Sequence, residues 1–217
     1  MPRNNQLIER IRKKPIQLFV STEKRKRPRN QHSKTEQASI FLINYRGRPA
    51  IFRWHASELP SHNKSNAMAR YYSHKIAHEL FPDYTPRVLG VKQINVTLPD
   101  RTQRVVWGIV TDIIHGRSRD YKEYHEHFYE KPSVTPPPAH EAFVKANNKV
   151  TFALEAAGIC PMIDPINIIN SHGKPIHIEI SEVIPSKIKK YILKLPEKKR
   201  KIILELLEKY EPYRRFG

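Results

Sequence analysis

The sequence predicts an α+β protein with a β-rich first half and a mostly helical second half. Short β-branched and aromatic runs, separated by polar turns, recur before residue 116. Segments with apolar residues at intervals of three and four residues follow over 140–157 and after residue 186. A chain of 217 residues is long enough for one domain of moderate size or for two lobes that share a core.

The elements of the first half are predicted from turn, cap and helix-ending residues as well as from the periodicity of the apolar residues. Pro15 ends a basic helical pattern, Arg46-Gly47-Arg48 is a turn, and Phe81-Pro82-Asp83 stops a helix that Ser65 or Asn66 can cap. The predicted order is a basic helix over 3–14, a strand over 16–20, a basic mobile loop over 21–37, a hairpin of 38–45 with 49–54, a helix over 65–80, and strands over 88–96 and 105–114.

The second half begins with an irregular connector over 117–138 that ends in three prolines. The helix predicted over 140–157 ends at Gly158, a natural C-cap. A hairpin of 166–170 with 175–180 follows, and two amphipathic helices divided by Leu195-Pro196 complete the chain, over 186–195 and 196–210.

The composition indicates a folded and strongly basic protein. Hydrophobic residues make up 39% of the chain, and ten Tyr with eight Phe argue against wholesale disorder. The formal net charge of +18 attracts polyanions such as nucleic acid, anionic lipid or nucleotide phosphates, although a basic proteome or a solubility effect would also explain it. Two clusters are the candidate nucleic-acid-binding residues: Lys24, Arg25, Lys26, Arg27 and Arg29, and Lys198, Lys199 and Arg200 with Lys201.

The sequence also bears on the compartment. The single cysteine, Cys160, excludes an intramolecular disulfide and a cysteine-based zinc site, which fits a reducing environment. No apolar run approaches the roughly eighteen residues of a membrane span. The N-terminus lacks the apolar core of a signal peptide. We therefore expect a soluble cytoplasmic protein with no membrane partner, and in a eukaryote the basic run at 24–29 could act as a nuclear signal.

Polar residues stand at the outer ends of the second predicted hairpin. Asp164 and Asn167 enter its first strand, and Glu179 ends its second. A hairpin brings its outer ends together, so an amide and two carboxylates converge on one point. Such hard oxygen ligands suit Mg²⁺, which usually takes one or two carboxylates plus phosphate oxygens. The alternative is an ordinary surface hairpin whose polar ends are solvated.

This layout resembles the catalytic loop and metal-binding hairpin of the protein-kinase-like fold. In that family a catalytic Asp lies five residues before a metal-binding Asn, and the metal-binding Asp of the D-F-G segment follows a hairpin. The resemblance implies that Asn167 and Glu179 hold Mg²⁺ and that Asp164 positions the acceptor hydroxyl. The position five residues before Asn167 is Met162, which cannot accept a proton, and Asp164 is offset by two residues.

Two further segments follow the order of the same fold. Ala50-Ile51-Phe52-Arg53 stands where the family carries a phosphate-pairing Lys in a V-A-I-K segment, which implies that Arg53 contacts phosphate. The strand over 105–114 runs into His115-Gly116 as at the hinge between kinase lobes, which implies that Asp112 and Ile114 contact the nucleotide. The implied domains are a basic N-terminal helix over 1–15, a β-rich N-lobe over 16–116, and a compact helical C-lobe over 117–217 with the 166–180 hairpin.

Other kinase features are absent from the sequence. The helix over 65–80 stands where the family's N-lobe helix supplies a Glu to the strand Lys, but no acid occurs between Ser65 and His78. The loop over 21–37 contains no glycine, so it cannot be a Gly-rich phosphate loop.

Functions from different classes remain open at this point. The first is a divergent kinase-like nucleotide-binding protein acting as a phosphotransferase, with ATP and Mg²⁺ as cofactors. The second is a non-catalytic kinase-like scaffold, a pseudokinase, that binds RNA, DNA or an acidic protein through its basic clusters. A metal-dependent nuclease is a weaker third, because Ser181 stands where that motif needs Lys. Asp164 reaching between Asn167 and Glu179 would favour catalysis, and burial of Glu179 against a basic side chain, with no cavity, would favour the scaffold.

Overall fold

The structure is a computed structural model that describes residues 18–19, 38–55, 63–97, 103–117, 138–163 and 167–214. The helix predicted over 3–14, the loop over 21–37 and most of the connector over 117–138 lie outside the described residues. Asp164 and the basic cluster of residues 24–29 lie outside them as well.

Strands dominate the first half of the described chain and helices the second. The first-half elements are β1 (Leu18–Phe19), β2 (Ala38–Tyr45), β3 (Arg48–His55), α1 (Asn63–Leu80), β4 (Val88–Thr97) and β5 (Gln103–Thr111). The second-half elements are α2 (Pro138–Ala156), β6 (Ile159–Pro161), β7 (Ile168–Ser171), β8 (Lys174–His177), β9 (Ile180–Val183), α3 (Pro185–Ile192), α4 (Glu197–Tyr210) and a 3-10 turn (Glu211–Tyr213). This mixture of helix and sheet agrees with the predicted α+β class. None of the described helices is long and apolar enough to cross a membrane.

The chain divides into two compact units. The first unit comprises Met1–Met68 and Leu89–Ile113, and the second comprises Ala69–Val88 and Ile114–Gly217. One boundary falls inside α1, one falls after the first residue of β4, and one falls two residues after the end of β5, within the segment predicted to be a hinge.

A five-stranded sheet in the order β1-β2-β3-β5-β4 forms the first unit. The β2–β3 hairpin pairs Tyr45 with Arg48 and turns at Arg46 and Gly47, whose φ angles of 52° and 82° suit a tight hairpin turn. The Asn44 side chain accepts a hydrogen bond from the Gly47 N–H at 2.9 Å, which fixes this turn. The hydrophobic core of this unit is formed by buried side chains of strands β2 to β5: Phe41, Ile43, Ala50, Phe52, Trp54, Ile94, Val106 and Val110.

The second unit has its own core, built around small strand pairs and amphipathic helices. In this unit β6 pairs with β9, and β7 pairs with β8. The main cluster contains isoleucine and leucine side chains from α1, α2, β6, β9, α3 and α4, among them Ile76, Leu154, Ile159, Ile180, Ile188, Ile192, Ile203 and Leu207. The β7–β8 hairpin has a smaller cluster, in which Ile168 packs against Phe143 of α2.

The predicted strand over 175–180 needs one correction. Strand β8 ends at His177, and β9 begins at Ile180, so Glu179 lies between two strands and does not end the hairpin. The reason is a change of partner. The Ile178 N–H donates to the Asn167 carbonyl at 2.8 Å, after which the chain leaves β7 and pairs with β6, Pro161 opposite Ile180.

The predicted C-cap at Gly158 is confirmed, and it leads to a stability prediction. Gly158 has a φ of +88°, and a Cβ added there would lie 2.6 Å from the Lys187 Cβ and 3.0 Å from the Ile184 carbonyl oxygen. The left-handed backbone and the crowding together lead us to expect that Gly158→Ala lowers the free energy of unfolding by about 2–4 kcal/mol.

Gly173 provides a matched control for this substitution in the same unit. Its φ is +81°, but no described atom lies within 4 Å of an added Cβ. Gly173→Ala should therefore show only the backbone cost, about 1–2 kcal/mol. Urea unfolding of both variants compares the two, and equal losses would contradict a role for the contact with α3.

Candidate functional site

The site residues Asn167 and Glu179 are brought together through their main chains. Asn167 accepts the hydrogen bond from Ile178, and the Glu179 carbonyl accepts one from the Met162 N–H at 3.0 Å. These bonds fix the segment of residues 178–180, where the chain passes from β8 to β9. The third predicted member, Asp164, lies outside the described residues, so its predicted role in positioning an acceptor stays a prediction.

The side chain of Glu179 is buried and ion-paired. Its exposed fraction is 2%, and the Arg70 Nη1 donates to its Oε1 at 2.6 Å. Arg70 lies on α1 with an exposed side-chain fraction of 13%. A hydrogen bond between two ionised groups is short and strong compared with a neutral one, and burial keeps solvent from screening it. The structure thus shows Glu179 as the partner of a guanidinium group.

A second residue of α1 holds the same segment. His74 lies four residues after Arg70, so both side chains emerge from one face of the helix. The His74 Nε2 accepts a hydrogen bond from the Ile180 N–H at 3.2 Å, and His74 is fully buried. The accepting role places the ring proton of a neutral imidazole on Nδ1. Helix α1 therefore contacts both the side chain of Glu179 and the main chain of its neighbour.

The Glu179 carboxylate is already engaged by Arg70, and its predicted role as a Mg²⁺ ligand with Asn167 stays a prediction. One Glu179 oxygen already bonds Arg70, whose charge neutralises the carboxylate. A divalent cation on Glu179 would sit near that guanidinium, and each pair of unit charges at 4 Å repels by about 4 kcal/mol at an effective dielectric constant of 20. Among the described residues, no group of three His, Cys, Asp or Glu side chains could hold a metal ion.

Arg53, the predicted phosphate contact, lies inside the sheet of the first unit. It is on β3 opposite Ile40 of β2 and Ile109 of β5, and its exposed fraction is 5%. Burial of a charged side chain costs free energy unless the side chain has polar partners. Arg53 is therefore a buried polar residue of the first unit and not a surface cation. Its contact with phosphate stays a prediction.

The predicted nucleotide-binding residues Asp112 and Ile114 follow β5 in neither helix nor strand. In the first unit, the Asp112 carboxylate lies 3.9 Å from the Arg48 Nη1, as a partly exposed ion pair. In the second unit, Ile114 is half-buried, and the chain continues to Arg117, which forms an isolated β-bridge with Asn170. Adenine binding by this segment stays a prediction.

The described basic cluster is larger than its sequence run. Lys198 and Lys201 are exposed and Lys199 and Arg200 are half-buried in the first turns of α4. The exposed cations of the preceding helix and its connection adjoin them in the chain: Lys187, Lys189, Lys190 and Lys194. The sequence predicts only residues 198–201 for this cluster, because a contiguous run of cations does not reveal which lysines the preceding helix exposes.

One buried titratable group went unnoticed in the sequence. His177 at the end of β8 is fully buried, and its Nε2 lies 3.5 Å from the Thr151 Oγ1 of α2. Burial lowers the pKa of His177 from 6.5 to about 4, because the charged imidazolium loses its hydration. This histidine is therefore neutral in the folded protein at physiological pH.

Tested against models of known protein families, the chain matches none. A search of curated proteins finds no similar sequence. Proposals for function therefore rest on the residues described above.

Proposed function

We propose that the protein is a non-catalytic scaffold with a kinase-like layout, which binds a macromolecular partner through its basic surface and does not transfer phosphate. The observation that carries this proposal is the buried ion pair between Glu179 and Arg70, at 2.6 Å. Glu179 is the residue that would otherwise serve as the second metal ligand. Its carboxylate is instead engaged by the guanidinium group of Arg70.

The order of the elements supports the kinase-like layout. Among the described residues, three strands precede helix α1, two strands follow it, and helix α2 then leads through Gly158 into the segment before the β7–β8 hairpin. This is the order that the resemblance implies.

The charge that the helix contributes to that layout is opposite to the one in a kinase. The helix that would supply a Glu carries Arg70, which pairs with an acid in the position of the D-F-G segment. Met162 stands five residues before Asn167, where a kinase needs a proton acceptor. Each substitution removes a part of the phosphotransfer machinery. Together they favour a binding role over turnover.

A Mg-ATP-dependent phosphotransferase is the competing function, because the main chain keeps Asn167 beside the segment of Glu179. Activity would require Arg70 to release Glu179 when Mg-ATP binds. Thermal unfolding at fixed ionic strength separates the two functions. For the scaffold we expect no Mg²⁺-dependent rise in melting temperature with ATP, in wild type or in Glu179→Gln.

The controls for this measurement are ATP with a chelator and Mg²⁺ alone, because ATP is itself a polyanion and can bind exposed lysines. A ligand at a hundred times its dissociation constant stabilises a protein by about 2.7 kcal/mol, or roughly 5–11 °C for a chain of this size. A rise of that order that needs Mg²⁺ and disappears in Glu179→Gln would contradict the scaffold and support the phosphotransferase.

A further inference from the structure

A dense cationic surface covers α3, α4 and the connection between them. Eight of the 15 residues from 187 to 201 are Lys or Arg, and Glu197 is the only acid among them. We call these eight side chains the α3–α4 basic surface: Lys187, Lys189, Lys190, Lys194, Lys198, Lys199, Arg200 and Lys201. Six of the eight are exposed and two are half-buried.

The two helices present these cations from a fixed framework. Ile188 and Ile192 of α3, and Ile203 and Leu207 of α4, are buried in the core of the second unit. Because the apolar side of each helix faces this core, the cations occupy the opposite, solvated side. Lys194 is further held by Tyr191, since its Nζ lies 3.8 Å from the ring centroid. The surface is thus part of the folded unit.

The placement of the cations opposes the stability of α4. Pro196 precedes the helix and provides no side-chain cap, and Lys198 to Lys201 follow immediately after Glu197. Cations near the first turn are repelled by the positive end of the helix dipole and by one another. Acids that would be favourable there, Glu205 and Glu208, lie in the second half of the helix. If these lysines served only solubility, they could lie near the C-terminus of α4, where cations also stabilise a helix. Their position in the first turns therefore favours a role in binding.

We propose that the α3–α4 basic surface binds the phosphodiester backbone of nucleic acid. This names the partner of the proposed scaffold and rests on that function. Duplex DNA carries one negative charge per roughly 1.7 Å of its axis, a density that matches closely spaced lysines and arginines. An extended acidic peptide carries at most one charge per residue, or about 3.3 Å.

An anionic membrane fits this surface less well. Membrane-surface helices bury an exposed apolar face in the lipid, next to their cations. Here the apolar faces of α3 and α4 are used in the core of the unit. Leu193, Ile202 and Leu204 are the large exposed apolar side chains among the described residues of α3, α4 and their connection, fewer than the eight cations. Phosphate contact by the cations themselves is therefore the interaction that the surface supports.

Salt dependence of binding measures the phosphate contacts directly. Fluorescence anisotropy of the full chain with a 20-nucleotide single-stranded RNA and a 20-base-pair duplex DNA, between 50 and 200 mM salt, separates the two sources of phosphate. If about four cations each contact one phosphate, the affinity for the single strand should fall with a logarithmic slope of about −3, or roughly 60-fold over this range. Binding should not require Mg²⁺, which competes for the phosphates as any counterion does.

A double substitution tests the surface with two readouts of opposite sign. Lys198→Glu with Lys199→Glu should weaken nucleic-acid binding and reduce the salt slope by about 1.4 on the single strand and about 1.8 on the duplex, for two lost phosphate contacts. The same change should raise the melting temperature by roughly 2–4 °C, because acids in the first turn of α4 are favoured by the helix dipole. A misfolded variant would lose melting temperature and is thereby recognised.

Lys145→Glu with Lys149→Glu is the matched control. Both lysines are exposed on α2 of the same unit, and the change in net charge is identical. This variant should retain binding within about twofold, because it alters only the long-range charge. Equal losses in both variants would overturn the proposal, since they would show attraction by total charge and no defined surface.

Two further outcomes would also overturn it. One is the absence of binding to either nucleic acid at 50 mM salt. The other is tighter binding to polyglutamate, or to vesicles rich in phosphatidylserine, than to RNA and DNA. Neither outcome depends on the response to Mg-ATP, so the partner and the non-catalytic scaffold can fail independently.

Discussion

Replacing Arg70 with alanine is expected to lower the free energy of unfolding by about 3–5 kcal/mol. Arg70 is the cation that neutralises Glu179, whose exposed fraction is 2%. Without it the buried carboxylate loses a short ion pair, and the desolvation that this pair offset is less opposed. Urea unfolding of the variant and the wild type, followed by circular dichroism, measures the difference.

Two comparisons identify the cause of that loss. Replacing both partners, as Arg70→Met with Glu179→Leu, should restore most of the stability, because no charge is left in the interior. Arg214→Ala removes an exposed ion pair of the same unit, with Glu211 at 3.5 Å, and should cost less than about 1 kcal/mol. A double variant as unstable as Arg70→Ala would show that packing around α1, and not the buried charge, sets the effect.

The ion pair also shows where sequence reasoning succeeded and where it failed. Glu179 was singled out because it followed a β-branched run near Asn167, which is local information. Its partner is 109 residues away in the chain, and such a pairing is not visible in periodicity. One signal existed. Arg70 and His74 lie on the same stripe of α1 as Ala67 and Ala77, which are both buried. Polar residues within an apolar stripe of a helix indicate a buried polar contact.

The elements themselves were predicted more closely. Helices α1 and α2 begin within two residues of the expected positions. Each has a long apolar stripe and a clear stop signal, Pro82 or Gly158, and these together leave few other placements for the helix. The bounds near Glu179 were wrong because β8 and β9 form one apolar run in the sequence. Only the hydrogen bonds of residues 178–180 reveal the exchange of strand partners between them.

Acidification is expected to destabilise the second unit through His177. Burial lowers the pKa of His177 to about 4, against 6.5 when it is exposed. Between these values the unfolded chain binds a proton that the folded chain does not, so the free energy of unfolding falls as the pH falls. The slope is about 1.4 kcal/mol per pH unit at most, which gives a loss of about 3 kcal/mol across the window. Above pH 6.5 this histidine contributes no pH dependence.

His177→Phe tests this expectation, because phenylalanine has a ring of similar size and does not titrate. The difference in unfolding free energy between wild type and variant should be constant above pH 6.5 and should shift in favour of the variant by about 3 kcal/mol at pH 4. His172→Asn is the control, since His172 is exposed in the hairpin turn at a φ of 54°, which asparagine tolerates. Parallel pH profiles for wild type and His177→Phe would show that the imidazole gains a proton without unfolding, through water or a shift of Thr151. In that case solvent would reach His177 in the folded protein, and β8 would pack less tightly against α2 than the burial of His177 indicates.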